Sequence, residues 1–237
     1  MSGKARRASL LAAAVCLLFF VGYFPSWLAT WAERQIANSV EGAFSSAQLV
    51  RVDLGAGNLG SWARGQLHDL KIEAKGLRTK DAFPISAFFF EAELLQLDLA
   101  RLRQGKVKIL SSRRARATAI LSEGELTGYL QKRVKPLTAV RMELREGKAT
   151  VHGQTRLLGQ KVKLSIAGEF SPSKGELRFK PTDFFVADFK LPRFLLDNIG
   201  DEVEFTIPLV ELPLPLELES VRIENGNAYL TGRGDKR

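Results

Sequence analysis

VRMELREGKATVHGQTRLLGQKVKLSIAGEF, residues 140–170, decides the fold class. Apolar residues recur at every second position. Val140, Met142 and Leu144 come first, then Ala149 and Val151 after a turn at Glu146-Gly147, then Val162, Leu164 and Ile166, with Phe170 at the end. Charged and polar residues fill the positions between. A period of two sends successive side chains to opposite faces of an extended chain, so each run reads as a strand with one apolar and one wet face. Gly-containing turns at this short spacing join such strands into an antiparallel meander.

The same period runs outward in both directions. Leu49 and Arg51 alternate with Val50 and Val52, and Leu70, Ile72 and Ala74 oppose Lys71, Glu73 and Lys75. Toward the C-terminus, Val203, Phe205, Ile207 and Leu209 alternate. A last hairpin then runs through Val221 and Ile223, turns at Asn225-Gly226 and returns through Ala228 and Leu230. One strand changes phase: Phe88, Phe90, Ala92 and Leu94 share a face, and beyond them the apolar set moves to Leu95, Leu97 and Leu99. A slip of one residue exchanges the faces, and a β-bulge in a curved sheet absorbs it. VRMELREGKATVHG and VRIENGNAYLTGRG echo one another as strand, Gly turn and strand; duplication and coincidence both account for that.

Helical signals are few. AERQIANSVEGAF carries Ile36, Val40 and Phe44 four apart, which predicts a short amphipathic helix, read as a stalk leading into the domain, with a helix packed into the main sheet as the alternative. Ser122 to Glu125 has the S-x-x-E form of a capping box. It opens a helix with a Leu126, Leu130, Val134 stripe that Pro136 stops. LPRFLLDNIG, with Pro192 near its start and Gly200 at its end, predicts another. The expected class is α+β: a long, curved antiparallel sheet wrapped around one or two helices.

At the N-terminus, Lys4, Arg6 and Arg7 precede an apolar run from Leu10 to Ala32. About 20 apolar residues span a bilayer, and a basic flank keeps the short tail inside. Residues 1–32 are therefore expected to be a cytoplasmic tail and transmembrane anchor, and 33–237 an extracytoplasmic domain. Trp27 and Trp31 fall where aromatic rings prefer the headgroup level. A cleaved signal peptide is the alternative, although no clean small-x-small cleavage site is present. Cys16 is the only cysteine, which excludes an internal disulfide framework and a cysteine-based zinc site. Val15 before it is a poor lipoprotein context.

The search for enzyme chemistry is mostly negative, with a site assembled from scattered carboxylates as the remaining alternative. The two histidines, His68 and His152, stand singly in predicted strands, where a structural role is the plain reading. No H-x-x-x-H, Asp-rich metal loop, G-x-S-x-G or glycine-rich phosphate loop occurs. Glu91 and Glu93 read as solvated surface. No catalytic residue, metal ligand or cofactor is expected. The net charge of +9 favours an acidic partner. Arg113, Arg114, Arg116, Lys132, Arg133 and Lys135 suggest a positive patch, but no RNA-binding signature accompanies them, and an external domain meets anionic headgroups rather than nucleic acid. FPISAFFFEAELLQL, TDFFVADFKLPRFLLDNI and TIPLVELPLPLEL are rich in apolar residues even for a core. Phe88, Phe90, Phe184, Phe185, Phe189, Phe194 and Leu195 are the candidates to line a lipid cleft.

Four segments resemble the LmeA-like phospholipid-binding family of bacterial envelope proteins, from about Ala32 to Arg233. They are GSWARGQLHDLKIEAKGL, ATAILSEGELTGYL, the 140–170 hairpin series, and FTIPLVELPLPLELESVRIENGNAYLTGRG. The last is the most diagnostic, with Pro208, Pro213, Pro215, Val221, Ile223, Gly226, Leu230 and Gly232 in place. The resemblance implies a wrapped-sheet fold similar to tubular lipid-binding domains, holding phospholipid without catalysis. The expected partners are phospholipid and the cytoplasmic membrane, with any protein partner left open. The competing expectation is a membrane-anchored scaffold that docks an envelope enzyme or an anionic polymer through its basic surface.

Overall fold

The structure, a computed structural model, describes residues 27, 29–55, 60, 61, 64–104, 106–133, 137–145, 147–157, 160–173, 176–187, 189–191, 205–208 and 217–236. A helix over residues 29–43, α1, comes first. The strands are β1 (Leu49–Leu54), β2 (Gln66–Arg78), β3 (Pro84–Leu97), β4 (Ile109–Ser122), β5 (Thr138–Arg145), β6 (Lys148–Leu157), β7 (Gln160–Ser173), β8 (Glu176–Val186), β9 (Phe189–Lys190), β10 (Phe205–Pro208), β11 (Glu217–Glu224) and β12 (Asn227–Lys236). Helix α2 (Leu99–Arg103) joins β3 to β4, and helix α3 (Glu123–Arg133) joins β4 to β5.

All the strand pairings are antiparallel, as the hairpin pattern predicts, but the strands divide between two sheets rather than forming one long one. Sheet A has the order β1-β2-β3-β4-β12-β11; sheet B has the order β10-β8-β7-β6-β5, with β9 also on β8. The division comes from α3, which separates β4 from β5, and from the C-terminal hairpin, whose β12 returns to pair with β4. That hairpin turns at Asn225 (φ 50°) and Gly226 (φ 73°), the two left-handed residues a type I′ turn requires.

The centre of the inner face of sheet A is covered, while Val50, Ala119 and Val221 toward its margins are partly buried. Leu70, Ile72, Ala74, Phe88, Phe90 and Ala92 are at most 3% exposed. Their partner is α1, whose Ala32, Ile36, Val40 and Phe44 are all buried in the same cluster. The helix expected as a stalk is thus part of the core. Its four-residue spacing forms a stripe that must be buried, and each such side chain taken out of water stabilises by about 1.5–3 kcal/mol. Polar ties fix its position: Leu54 N–H donates to Glu33 Oε1 (3.2 Å) and Ser45 N–H to the Arg78 carbonyl (2.8 Å).

The phase change in β3 is a bulge centred on Leu94 itself. Leu94 takes φ 48° and is 48% exposed, rather than sharing the face of Phe88 and Phe90. Leu95 and Leu97 return to the core, and the register with β4 shifts between Glu93 and Gln96. Leu99 does not continue the strand. Asp98 caps α2 by accepting the Arg101 N–H (3.1 Å), and Leu102 turns into the core.

The capping box at α3 forms with a third member. Ser122 Oγ accepts the Glu125 N–H (3.4 Å) and donates to Glu125 Oε2 (2.9 Å). The reciprocal bond passes through Ser86, whose hydroxyl accepts the Ser122 N–H (3.0 Å) and donates to the same carboxylate. Leu126 and Leu130 are buried, while Lys132 is exposed. Val134 and Pro136, and residues 192–200 of the helix expected over 191–200, lie outside the described residues. So does the apolar run up to residue 26. Among the described residues no helix is long and apolar enough to cross a membrane.

Candidate functional site

The candidate site is the inner face of sheet B, where apolar cover gives out. Paired positions on neighbouring strands share a face. Met142 pairs with Val151, Val151 with Ile166, and Ile166 with Phe184. One row further along, Gly153 pairs with Leu164, Leu164 with Val186, and Val186 with Phe189. The first row is buried: Met142 0%, Val151 5%, Ile166 5%, Phe184 6%. In the second row Leu164 and Val186 are only half-buried, and Phe189 is 78% exposed.

Helix α3 covers the β5 end of this face and also touches β3 and β4 of sheet A. It lies along β5, where Thr127 Oγ1 accepts the Met142 N–H (2.9 Å) and Gln131 donates to the Val140 carbonyl (2.9 Å). Leu137 beyond it fits over Gly153, where a Cβ would stand 3.1 Å from its methyl carbon. Nothing else among the described residues gives Phe189 the cover that α3 gives Met142.

A bulge aligns this face. Phe179 and Phe184 are five residues apart, an odd spacing that would put them on opposite sides. The register shifts between Ala167 and Gly168, so Asp183 pairs with Ala167 and Pro181 with Gly168. Thr182 is left over and donates its hydroxyl to the Ala167 carbonyl (3.2 Å). Pro181 at a bulge removes no ladder donor that is needed. Gly168 is required there: a Cβ would meet the Lys180 carbonyl at 2.5 Å and the Phe179 ring at 2.6 Å. Phe170 and Phe179 then stack edge to face, centroids 5.6 Å apart.

The seven lipid-contact candidates therefore occupy several surfaces. Phe88 and Phe90 pack in the interior of sheet A at 2% and 1% exposure. Phe184 and Phe189 share the inner face of sheet B. Phe185, one residue on, points to the outer face with its partners Ser165 and Lys190. Phe194 and Leu195 lie outside the described residues. Sequence reasoning missed Leu164 and Val186 on the open row. Their alternation was visible, but their incomplete cover depends on what the tertiary structure packs over β7 and β8.

On the outer face of sheet B a polar chain crosses three strands. Glu143 Oε2 accepts from His152 Nε2 (2.8 Å), and His152 Nδ1 meets Ser165 Oγ (2.9 Å). The hydrogen bond from His152 holds the Glu143 carboxyl below its usual range, helped by the charge of Arg145. The atoms resemble a nucleophile, base and acid. Ser165, however, sits mid-strand between β6 and β8, so the neighbouring backbone N–H groups are committed to the ladder. The chain pins strands together. Lys190 similarly pairs with Asp183 and lowers its pKa.

Sheet A carries a cleft of about 710 Å³ on its outer face, lined by Asp69, Lys71, Glu91, Glu93 and Arg114 among others. Lys71 pairs with Glu91 (3.8 Å) and Arg114 with Glu93 (3.1 Å), so its walls answer their own charges. The patch expected from Arg113, Arg114 and Arg116 is thus partly neutralised, and Lys132 stands apart on α3. Arg133 and Lys135 side chains lie outside the described residues. No cluster of metal-ligating side chains occurs among the described residues.

Fold and face together define a two-sheet antiparallel α+β domain that presents uncovered apolar surface beside a closed core. The model of the LmeA-like phospholipid-binding family matches residues 26–233, nearly the whole chain, and the chain belongs to that family. No curated protein and no solved structure matches it.

Proposed function

We propose that this chain binds phospholipid without catalysis, holding acyl chains against the open row of sheet B. The observation that carries the reading is the gradient along one continuous face, from Phe184 at 6% to Phe189 at 78% exposure. Hydrocarbon laid on Leu164, Val186 and Phe189 would extend an existing core, and each buried CH₂ contributes about 0.8 kcal/mol. Phe184 forms the floor, and Phe194 and Leu195 follow in the chain as further contacts. Phe88 and Phe90 keep sheet A closed around α1, and Phe185 lies on the outer side. In this reading the two sheets together wrap the helices as in tubular lipid-binding domains. The apolar run from Leu10 tethers the domain at the outer face of the cytoplasmic membrane, where it holds or passes on lipid for the envelope.

The test is binding of a fluorescent phospholipid to the intact chain at low and high salt, with acyl length varied. Binding that survives high salt and strengthens with acyl length supports the apolar face. Binding that disappears in salt and ignores acyl length moves the reading to the alternative, a scaffold that docks an enzyme or anionic polymer by charge. A reporter active only outside the cytoplasm, fused after Arg237, tests the topology.

A further inference from the structure

We propose that the end of the molecule formed by the start of α1, α2 and the connection to β4 docks on an anionic phospholipid bilayer. The inference builds on the phospholipid-binding reading and adds which surface meets the membrane. Three observations place these parts together. Glu33, in the first turns of α1, accepts the N–H of Leu54 at the end of β1, the end of sheet A where β2 begins and β3 stops. Ser39 of α1 accepts the Val107 N–H (3.5 Å), which ties the connection after α2 against the same helix. Leu102 of α2 is buried at 2% exposure and Leu99 packs partly against the core, so the five-residue helix is seated by its leucines while Ala100, Arg101 and Arg103 face out.

Those outward side chains are mostly basic. Between Asp98 and Leu110 the sequence places Arg101, Arg103, Lys106 and Lys108 against the single acid Asp98. Asp98 caps α2 and pairs with Arg101 (3.6 Å). Arg103, Lys106 and Lys108 are exposed, and no carboxylate among the described residues pairs with them. Glu33 is engaged by the Leu54 amide. Of the exposed carboxylates toward this end, Asp53 and Asp69 stand on β1 and β2, and Glu93 on β3 is answered by Arg114 (3.1 Å), which points α2 rather than β1 toward an anionic surface.

Apolar side chains rim the same end. Trp27 is 61% exposed, Leu94 48% and Leu110 42%. Trp27 lies toward the C-terminal end of the apolar run from Leu10 to Ala32 and is the first described residue. A basic face edged by an indole and leucines, reached from an apolar segment, matches a headgroup layer in charge and depth.

The experiment is hydrogen–deuterium exchange on the intact chain with vesicles of phosphatidylcholine alone or with about one third phosphatidylglycerol. Slowed exchange across residues 99–110, confined to the anionic vesicles and reversed by salt, is the expected result. The variant carrying Arg101→Glu, Arg103→Glu, Lys106→Glu and Lys108→Glu should lose that protection. Each cation neutralised singly to Gln should weaken binding to the anionic vesicles about fivefold. The pair Lys161→Glu and Lys163→Glu, on β7, should leave it unchanged. Protection that is equal in neutral vesicles, maps elsewhere, or survives the fourfold reversal overturns the proposal. Native mass spectrometry of the same samples separates the two readings. Phospholipid retained by the fourfold variant with docking lost separates holding from docking, whereas docking by a chain that never carries lipid sinks the acyl-chain site alone.

Discussion

Sheet A and sheet B have the same antiparallel pattern and similar alternation, yet they end differently. Sheet A closes: α1 lays Ile36, Val40 and Phe44 over its inner face, and its central residues are almost wholly buried. Sheet B closes at β5 under α3 and opens toward β9, where Phe189 stands in solvent. Alternation dictates that each sheet has an apolar face, but what the tertiary structure packs on that face decides how much of it is left. Helix α3 reaches β5 at one end of sheet B, while Leu164, Val186 and Phe189 stand on β7, β8 and β9 beyond it. The uncovered remainder is surface available to a ligand.

The contrast can be broken from the sheet A side first. Phe90→Ala should cost about 3–5 kcal/mol in a denaturant melt, because the ring leaves a cavity in a closed core. A loss under about 1 kcal/mol would show that sheet A is as open as sheet B. Leu130→Ala should cost about 2–5 kcal/mol, and Lys132→Ala, one turn's edge away in water, under about 0.5 kcal/mol. Equal tolerance would remove α3 from its place over β5. Gly168→Ala should cost about 1–3 kcal/mol through overpacking against Lys180 and Phe179, and a neutral result would refute the bulge that aligns the open face.

Two smaller effects sharpen the comparison. Phe189→Ser should change stability by no more than about 0.5 kcal/mol while weakening fluorescent-phospholipid binding several-fold. If stability falls as for Phe90, Phe189 belongs to a core and not to a site. The smallest effect concerns the outer face. The His152 hydrogen bond lowers the folded-state pKa of Glu143, so its contribution is present above the unfolded value, about 4.3, and is lost as pH falls through the folded value. His152→Ala should lower stability at neutral pH by under about 1 kcal/mol and flatten its decline below about pH 4.3. An unchanged acid limb would show that the chain from Glu143 to Ser165 contributes nothing.

Local pattern alone determined a good deal. The strands follow from the period of two, the C-terminal hairpin from Asn225-Gly226, the start of α3 from Ser122 and Glu125, and the bulge in β3 from the slip near Leu94. Each rests on chemistry within a few residues, where sterics and local hydrogen bonds act without the rest of the chain. The apolar stripe at Ile36, Val40 and Phe44 announced a face to be buried, but only the tertiary structure showed that sheet A buries it. Alternation assigns residues to faces and says nothing of which strands pair at long range, so the division into two sheets was not legible. Nor was the side taken by Phe184 and Phe185, because the bulge at Thr182 inverts the parity between Phe179 and everything after it. A strand's own sequence tells which residues travel together; the register with its neighbours, and the reach of the helix above it, decide which of them remain uncovered.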